Sequence, residues 1–263
     1  MPTHLKKNLL ALLCSMAATG VFAQTADTSG SHDAKASFSV GVNRSTSSLF
    51  KGLTLQSKTG LLLDASYENG PWYASMQNGL GFKLVNNGVW TVAIAANYMP
   101  GRYVANDSRY AGMGDVPGTL AAYGWAEWRP VKDALTLYGN VSRSTRSGHG
   151  MLLTLGTTLG FPVMGKLHGF VDINWTWGNA AYNQTYYGVN AAQSASSPYA
   201  LYSPAAGRIS TNPSIGLVYS ASDQWSVGGY VGRSLLSPMQ SASPMAAGLS
   251  SQPLAAIFST WKY

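Results

Sequence analysis

The sequence predicts an all-β fold, a transmembrane antiparallel up-and-down β-barrel of the outer membrane with about twelve strands. Three observations carry that expectation. Charged residues make up only 10% of the 263 residues, far below the roughly 25% of soluble domains, so a water-covered globule would lack surface charge. Polarity alternates residue by residue over one segment after another, the period of a strand with one apolar and one polar face. Beyond the N-terminus no run of about 18 apolar residues occurs, which excludes a bundle of membrane helices. An aromatic content of 11% also separates the chain from disordered sequences, which are poor in such residues.

The elements follow in order. Met1 to Ala23 carries Lys6 and Lys7, the apolar run Leu9 to Met16 and the small-residue ending Val21-Phe22-Ala23. This is the pattern of a secretory signal peptide cut after Ala23. The single cysteine, Cys14, leaves with it, so the exported chain has no disulfide to hold it together. Loss of Lys6 and Lys7 leaves fifteen basic side chains against ten acidic ones, a net charge of +5. That excess is scattered rather than clustered, which gives no support to nucleic-acid binding. Gln24 to Ala34 is polar and reads as a flexible periplasmic lead-in; residues 35–263 read as the barrel.

Alternating runs occur at Phe38–Asn43, Leu61–Glu68, Trp72–Gln77, Val89–Tyr98, Thr119–Arg129, Ala134–Arg143, Met151–Phe161, Lys166–Trp177, Pro213–Ser220 and Trp225–Arg233. The clearest is Lys166–Trp177, in which Leu167, Gly169, Val171, Ile173, Trp175 and Trp177 alternate with Lys166, His168, Phe170, Asp172, Asn174 and Thr176. It matches the roughly 9–11 residues with which a tilted strand crosses hydrocarbon, and its aromatic end suits the membrane interface. The last run, Leu254–Tyr263, puts Ile257, Ser259, Trp261 and Tyr263 on one face. Its aromatic ending, Trp261 and Tyr263, is the expected C-terminal barrel signal. A periplasmic β-sandwich would alternate too, but would need charged outward faces.

Strand number follows from loop length, because bacterial barrels have short periplasmic turns, longer outer loops and an even strand count. Short connections stand at Glu68–Pro71, Pro130–Asp133, Pro162–Gly165 and Ala221–Gln224; long ones at Ser45–Lys58, Pro100–Gly118, Gly178–Asn212 and Ser234–Pro253. With both termini periplasmic, the sets alternate only if an odd number of strands lies between Pro71 and Met99. Tight turns at Asn78-Gly79 and Asn86-Asn87-Gly88 give three there and twelve in all. One long strand over Trp72–Val85 leaves ten as the alternative.

No nucleophile and base stand together, so no catalytic residue is assigned, and no metal-ligand spacing occurs. His168 and Asp172 are four apart on one strand face, about 13 Å between Cα atoms. His149, in Ser147-Gly148-His149-Gly150, reads as an exposed loop histidine. Glycines on the strands read as sites where a large aromatic packs over its neighbour. The candidate lumen lining is Asp64, Glu68, Lys166, His168, Asp172 and Asn174, the wall either of a small polar channel or of an interior plugged by side chains. Tyr182, Tyr186, Tyr187, Tyr199 and Tyr202 lie in the long polar connection Gly178–Asn212 and suit a protein contact surface, since tyrosine gives large area at low ordering cost.

Several tracts resemble the MipA/OmpV family of outer-membrane proteins. They are Asp107–Gly114, ending Tyr-Ala-Gly-Met-Gly; Ser147-Gly148-His149-Gly150; Asn179–Asn190, with Tyr182 and Thr185-Tyr186-Tyr187-Gly188-Val189, followed by Gln193; and Leu235-Leu236 leading to Ser243-Pro244. The family-motif loop is thus Tyr182, Tyr186, Tyr187, Gly188 and Val189. The tract Ser237–Ala242 holds no acidic residue, where the family usually has some. The resemblance implies a non-enzymatic barrel without cofactor, in contact with outer-membrane lipid. It further implies a scaffold joining a lytic transglycosylase to a murein synthase. Other members resemble small porin-like channels or surface adhesins.

Overall fold

The computed structural model describes residues 34–46, 57–106, 110–246 and 249–263. Expected features at 1–33, at the centre of the first long connection and at 107–109 lie outside the described residues. Twelve antiparallel strands form one closed barrel, each bonded to its sequence neighbours and the first to the last. They are β1 (Lys35–Thr46), β2 (Ser57–Asn69), β3 (Trp72–Ser75), β4 (Gly79–Asn86), β5 (Trp90–Met99), β6 (Thr119–Val131), β7 (Leu135–Ser144), β8 (Met151–Met164), β9 (Leu167–Gly178), β10 (Gly207–Ser220), β11 (Trp225–Leu236) and β12 (Ser251–Lys262). Three strands, β3 to β5, occupy the stretch between Pro71 and Met99, so the ten-strand alternative falls.

Closure leaves every strand two neighbours, which is how a sheet can stand in hydrocarbon without an exposed edge. Outward side chains on β7 to β12 include Leu137, Val141, Leu153, Leu155, Leu159, Val171, Ile215, Leu217, Val227, Val231 and Ile257, all exposed. An apolar surface of that extent is not left to water by a monomer; it is a lipid-facing band. Toward the short-turn end stand exposed Trp72, Trp90, Trp128, Tyr219, Trp225 and Tyr263, with Trp90 and Trp128 stacked at 5.5 Å between β5 and β6. This is an interfacial aromatic girdle. Trp261 packs beside Tyr263 at 5.9 Å.

Short turns at this end are closed by residues in the left-handed backbone region, Asp133 (φ 59°) and Gly165 (φ 53°), the conformation Asp and Gly adopt most readily. Inside, glycines make room for rings. Gly156, opposite Tyr138 on β7, lies so close under that ring that a Cβ would sit 2.3 Å from Cζ; Gly216 lies likewise under Phe170.

Two strands differ from expectation. β3 has only four residues, because the chain turns at Met76–Asn78 rather than continuing through Gln77. β10 begins at Gly207, not Pro213. Its first residues hid from the alternation because Ser210, Asn212 and Ser214 face the interior, buried, and a shift in register between Arg208 and Ser210 breaks the period.

Candidate functional site

Two polar clusters line the interior, and loops meet over the outer mouth. On the β7–β10 wall, Asp172 and Asn174 have essentially no exposure. Asp172 accepts hydrogen bonds from Tyr138 Oη (2.9 Å), Thr158 Oγ1 (2.8 Å) and Asn174 Nδ2 (3.1 Å). Asn212 Nδ2 donates to Asn174 Oδ1 at 2.8 Å. A buried carboxylate with three donors is a satisfied group, covered by the side chains around it.

The second cluster lies on β2 to β6. Lys83 Nζ pairs with Glu68 at 2.6 Å, Arg129 pairs with Glu127, and Trp125 Nε1 donates to Tyr73 Oη at 2.8 Å. Tyr73, Ala93 and Trp125 form a small apolar core beside them. Asp64 is half-buried on the same wall, with Oδ1 unpaired. Lys166 lies in the β8–β9 turn, exposed, its Nζ 3.3 Å from the Ala221 carbonyl of the next turn. His168, at the start of β9, is exposed too. The sequence-derived lining therefore divides. Asp172 and Asn174 are buried in the interior, Asp64 stands on its wall, Glu68 is part-exposed near the short-turn end, and Lys166 and His168 lie at the short-turn rim.

The long connection between β9 and β10 forms a cap instead of an irregular surface loop. It holds helix α1 (Ala180–Tyr187), capped by Asn179, and α2 (Ala191–Ser196), opened by a capping box of Asn190 and Gln193. Each reciprocal bond of that box satisfies a helix-end donor. Val189 pairs with Tyr202 across the loop. With Met113 from the β5–β6 loop and Met245 from the β11–β12 loop, Val189 forms a buried core against which Tyr110, Tyr199 and Tyr202 pack. Bonds tie the loops together: Gln193 Nε2 to Met113 O (2.7 Å), Thr185 Oγ1 to Gly148 O (2.8 Å) and Ser243 Oγ to Tyr187 O (2.7 Å). Gly188, fully covered, ends α1 by donating to Asn183 O and Gln184 O.

His149 corrects the expectation of an exposed histidine: it is buried, its ring edge-on to Tyr186 at 6.4 Å. Burial, with Arg146 nearby, holds its pKa below the usual histidine value. Three further residues were assigned no role, although Met113 and Gln240 stand within the family-like tracts. Arg102 lies over the Tyr110 ring at 5.1 Å, reaches the Tyr186 carbonyl at 3.4 Å, and is held below the usual arginine pKa by burial. Gln240, in the short helix α3 (Pro238–Ser241), is fully buried, and Met113 anchors the core. Nothing local marks them, because their partners come from other loops; the Asn190-x-x-Gln193 spacing alone was a readable helix-start signal.

A closed antiparallel barrel with an apolar outer band, an aromatic girdle and a packed polar interior defines an outer-membrane β-barrel protein. The family described as MltA-interacting protein MipA matches residues 20–263. The chain belongs to that family. No curated protein sequence matches significantly. Among solved structures, the NanC porin is similar at 10% identity over 85% of this chain and 98% of its own, TM-score 0.39. OmpT of Vibrio cholerae is similar at 12% identity over 86% and 76%, TM-score 0.34. The N-terminal barrel of Pseudomonas aeruginosa OprF is similar at 14% over 65% and 96%, TM-score 0.27.

Proposed function

We propose that this barrel is a non-enzymatic scaffold at the inner face of the outer membrane, holding a lytic transglycosylase and a murein synthase near each other. The observation that carries the reading is the charge on the short turns, set against an interior in which Asp172 and Asn174 are tied up by their neighbours. The periplasmic turns carry exposed Lys132 and Asp133, Lys166, and Asp223, charged groups on short, stiff connections suited to a polar interface rim. The family's description, an MltA-interacting protein, supports a partner in murein turnover. A channel reading would need a water path past Asp172, where the side chains pack together. An adhesin reading would place function in the cap of residues 179–206 instead.

The experiment is native affinity capture from periplasmic and membrane extract with the folded, tagged barrel, against an unrelated barrel. Enrichment of a lytic transglycosylase or a murein synthase is the expected result. No such enrichment by a demonstrably folded protein would remove the scaffold reading.

A further inference from the structure

The cap and the barrel below it are satisfied to different degrees. In the barrel network, Asp172, Asn174 and Asn212 are all bonded. At the cap, buried polar atoms stand without partners: Arg102 Nε and Nη2, His149 Nδ1, Asn183 Oδ1, and both amide atoms of Gln240. Elsewhere among the described residues Asp64 Oδ1 and Ser214 Oγ share that condition. The two nitrogens of Arg102 form one complete edge of the guanidinium, the fork that matches a bidentate acceptor. Leaving such groups buried and unbonded carries their full desolvation penalty.

The cap is held by a small apolar core of Met113, Val189 and Met245, with Tyr110, Tyr199 and Tyr202 packed against it, and by bonds between loops. Ties such as Thr185 to Gly148 and Ser196 to Gly112 are exposed, so water replaces them at small net loss. Local opening is easiest where buried apolar contact is sparse and bonds are exposed. The exposed ties meet the second condition, and the unpaired groups add a drive toward opening.

We propose that the β9–β10 loop, residues 179–206, is a lid over the outer mouth that lifts as a unit, exposing Arg102 and Gln240 to solvent while the Asp172 network beneath stays shut. The lid lies on the opposite face from the periplasmic turns, so it stands or falls independently of the scaffold reading.

The test is thiol labelling of the full chain in nanodiscs, with Cys14 replaced by serine and one reporter introduced. Ser243→Cys, fully buried under the cap, is the reporter, and Gln240→Cys serves if the first fails to fold. Asn174→Cys, equally buried in the barrel, is the reference. A bulky, membrane-impermeant maleimide should label Ser243→Cys at least about tenfold faster than Asn174→Cys under native conditions. Val189→Asn should speed that labelling. Arg102→Met, which removes the unpaired nitrogens, should slow it, the reverse of what ordinary loss of packing does. Equal rates at the two reporters, no labelling of Ser243→Cys without denaturant, or faster labelling with Arg102→Met would each overturn the lid.

Discussion

Asp172 is held by donors from β7, β8 and its own strand, so its removal acts on three neighbours together. Asp172→Ala takes away the acceptor that Tyr138, Thr158 and Asn174 share. Buried groups left unpaired cost about 1–3 kcal/mol apiece. The variant should lose its folded, heat-modifiable gel mobility at a clearly lower temperature, whereas Asp172→Asn, which retains an acceptor, should lose less. Gly156→Ala should be comparably harmful, because its Cβ would strike the Tyr138 ring that feeds the network.

His149 gives a pH dependence whose sign is fixed by burial. Its pKa in the closed cap lies below the ordinary value of 6.5, so the closed cap favours the neutral ring. Above pH 6.5 the ring is neutral whether the cap is closed or open, and closure is unaffected. As pH falls below that value the open form takes up a proton first, and closure weakens. Labelling of Ser243→Cys should therefore quicken from pH 7 to pH 5, and His149→Phe should flatten the profile. The inward direction of Asp172 and Asn174 was legible in the alternation of β9. The burial of His149, Arg102 and Gln240 was not, since it depends on loops distant in sequence meeting over the mouth.

Among the elements, the long strands were readable because lipid on one side and packed side chains on the other force a period of two. That signal fails where either side departs from it. β3 is too short to show a period, and the start of β10 has polar residues inward and a shifted register. α1 and α2 are short, and what holds them is their caps rather than an apolar stripe. Asn190→Ala, which breaks the capping box, should therefore cost about 1 kcal/mol of local stability. Protease cleavage within 191–196 of the native, membrane-embedded protein should become faster, with barrel melting unchanged.

For the molecule as a whole, fold class could be argued from low charge and alternating polarity, and loop lengths with parity favoured twelve strands while leaving ten open, since membrane topology is a global constraint that every turn must satisfy. Whether the interior was open could not, because the same polar residues line a channel or a plug. With Asp172 and Asn174 unexposed, the reconstituted protein should give no steady conductance in a planar bilayer, with the cap closed or open. Regular single-channel steps altered by Asp172→Lys would instead place transport first.

The most direct test of the scaffold account is binding of a purified lytic transglycosylase to the barrel in nanodiscs, measured for the native chain and two altered ones. One carries reversed charges at Lys132, Asp133 and Asp223; the other lacks the cap, residues 179–206. The account predicts binding by the native protein, severalfold weaker binding after charge reversal, and no change on removal of the cap. Absence of binding by the folded native protein, or binding lost with the cap and untouched by the turns, would contradict it.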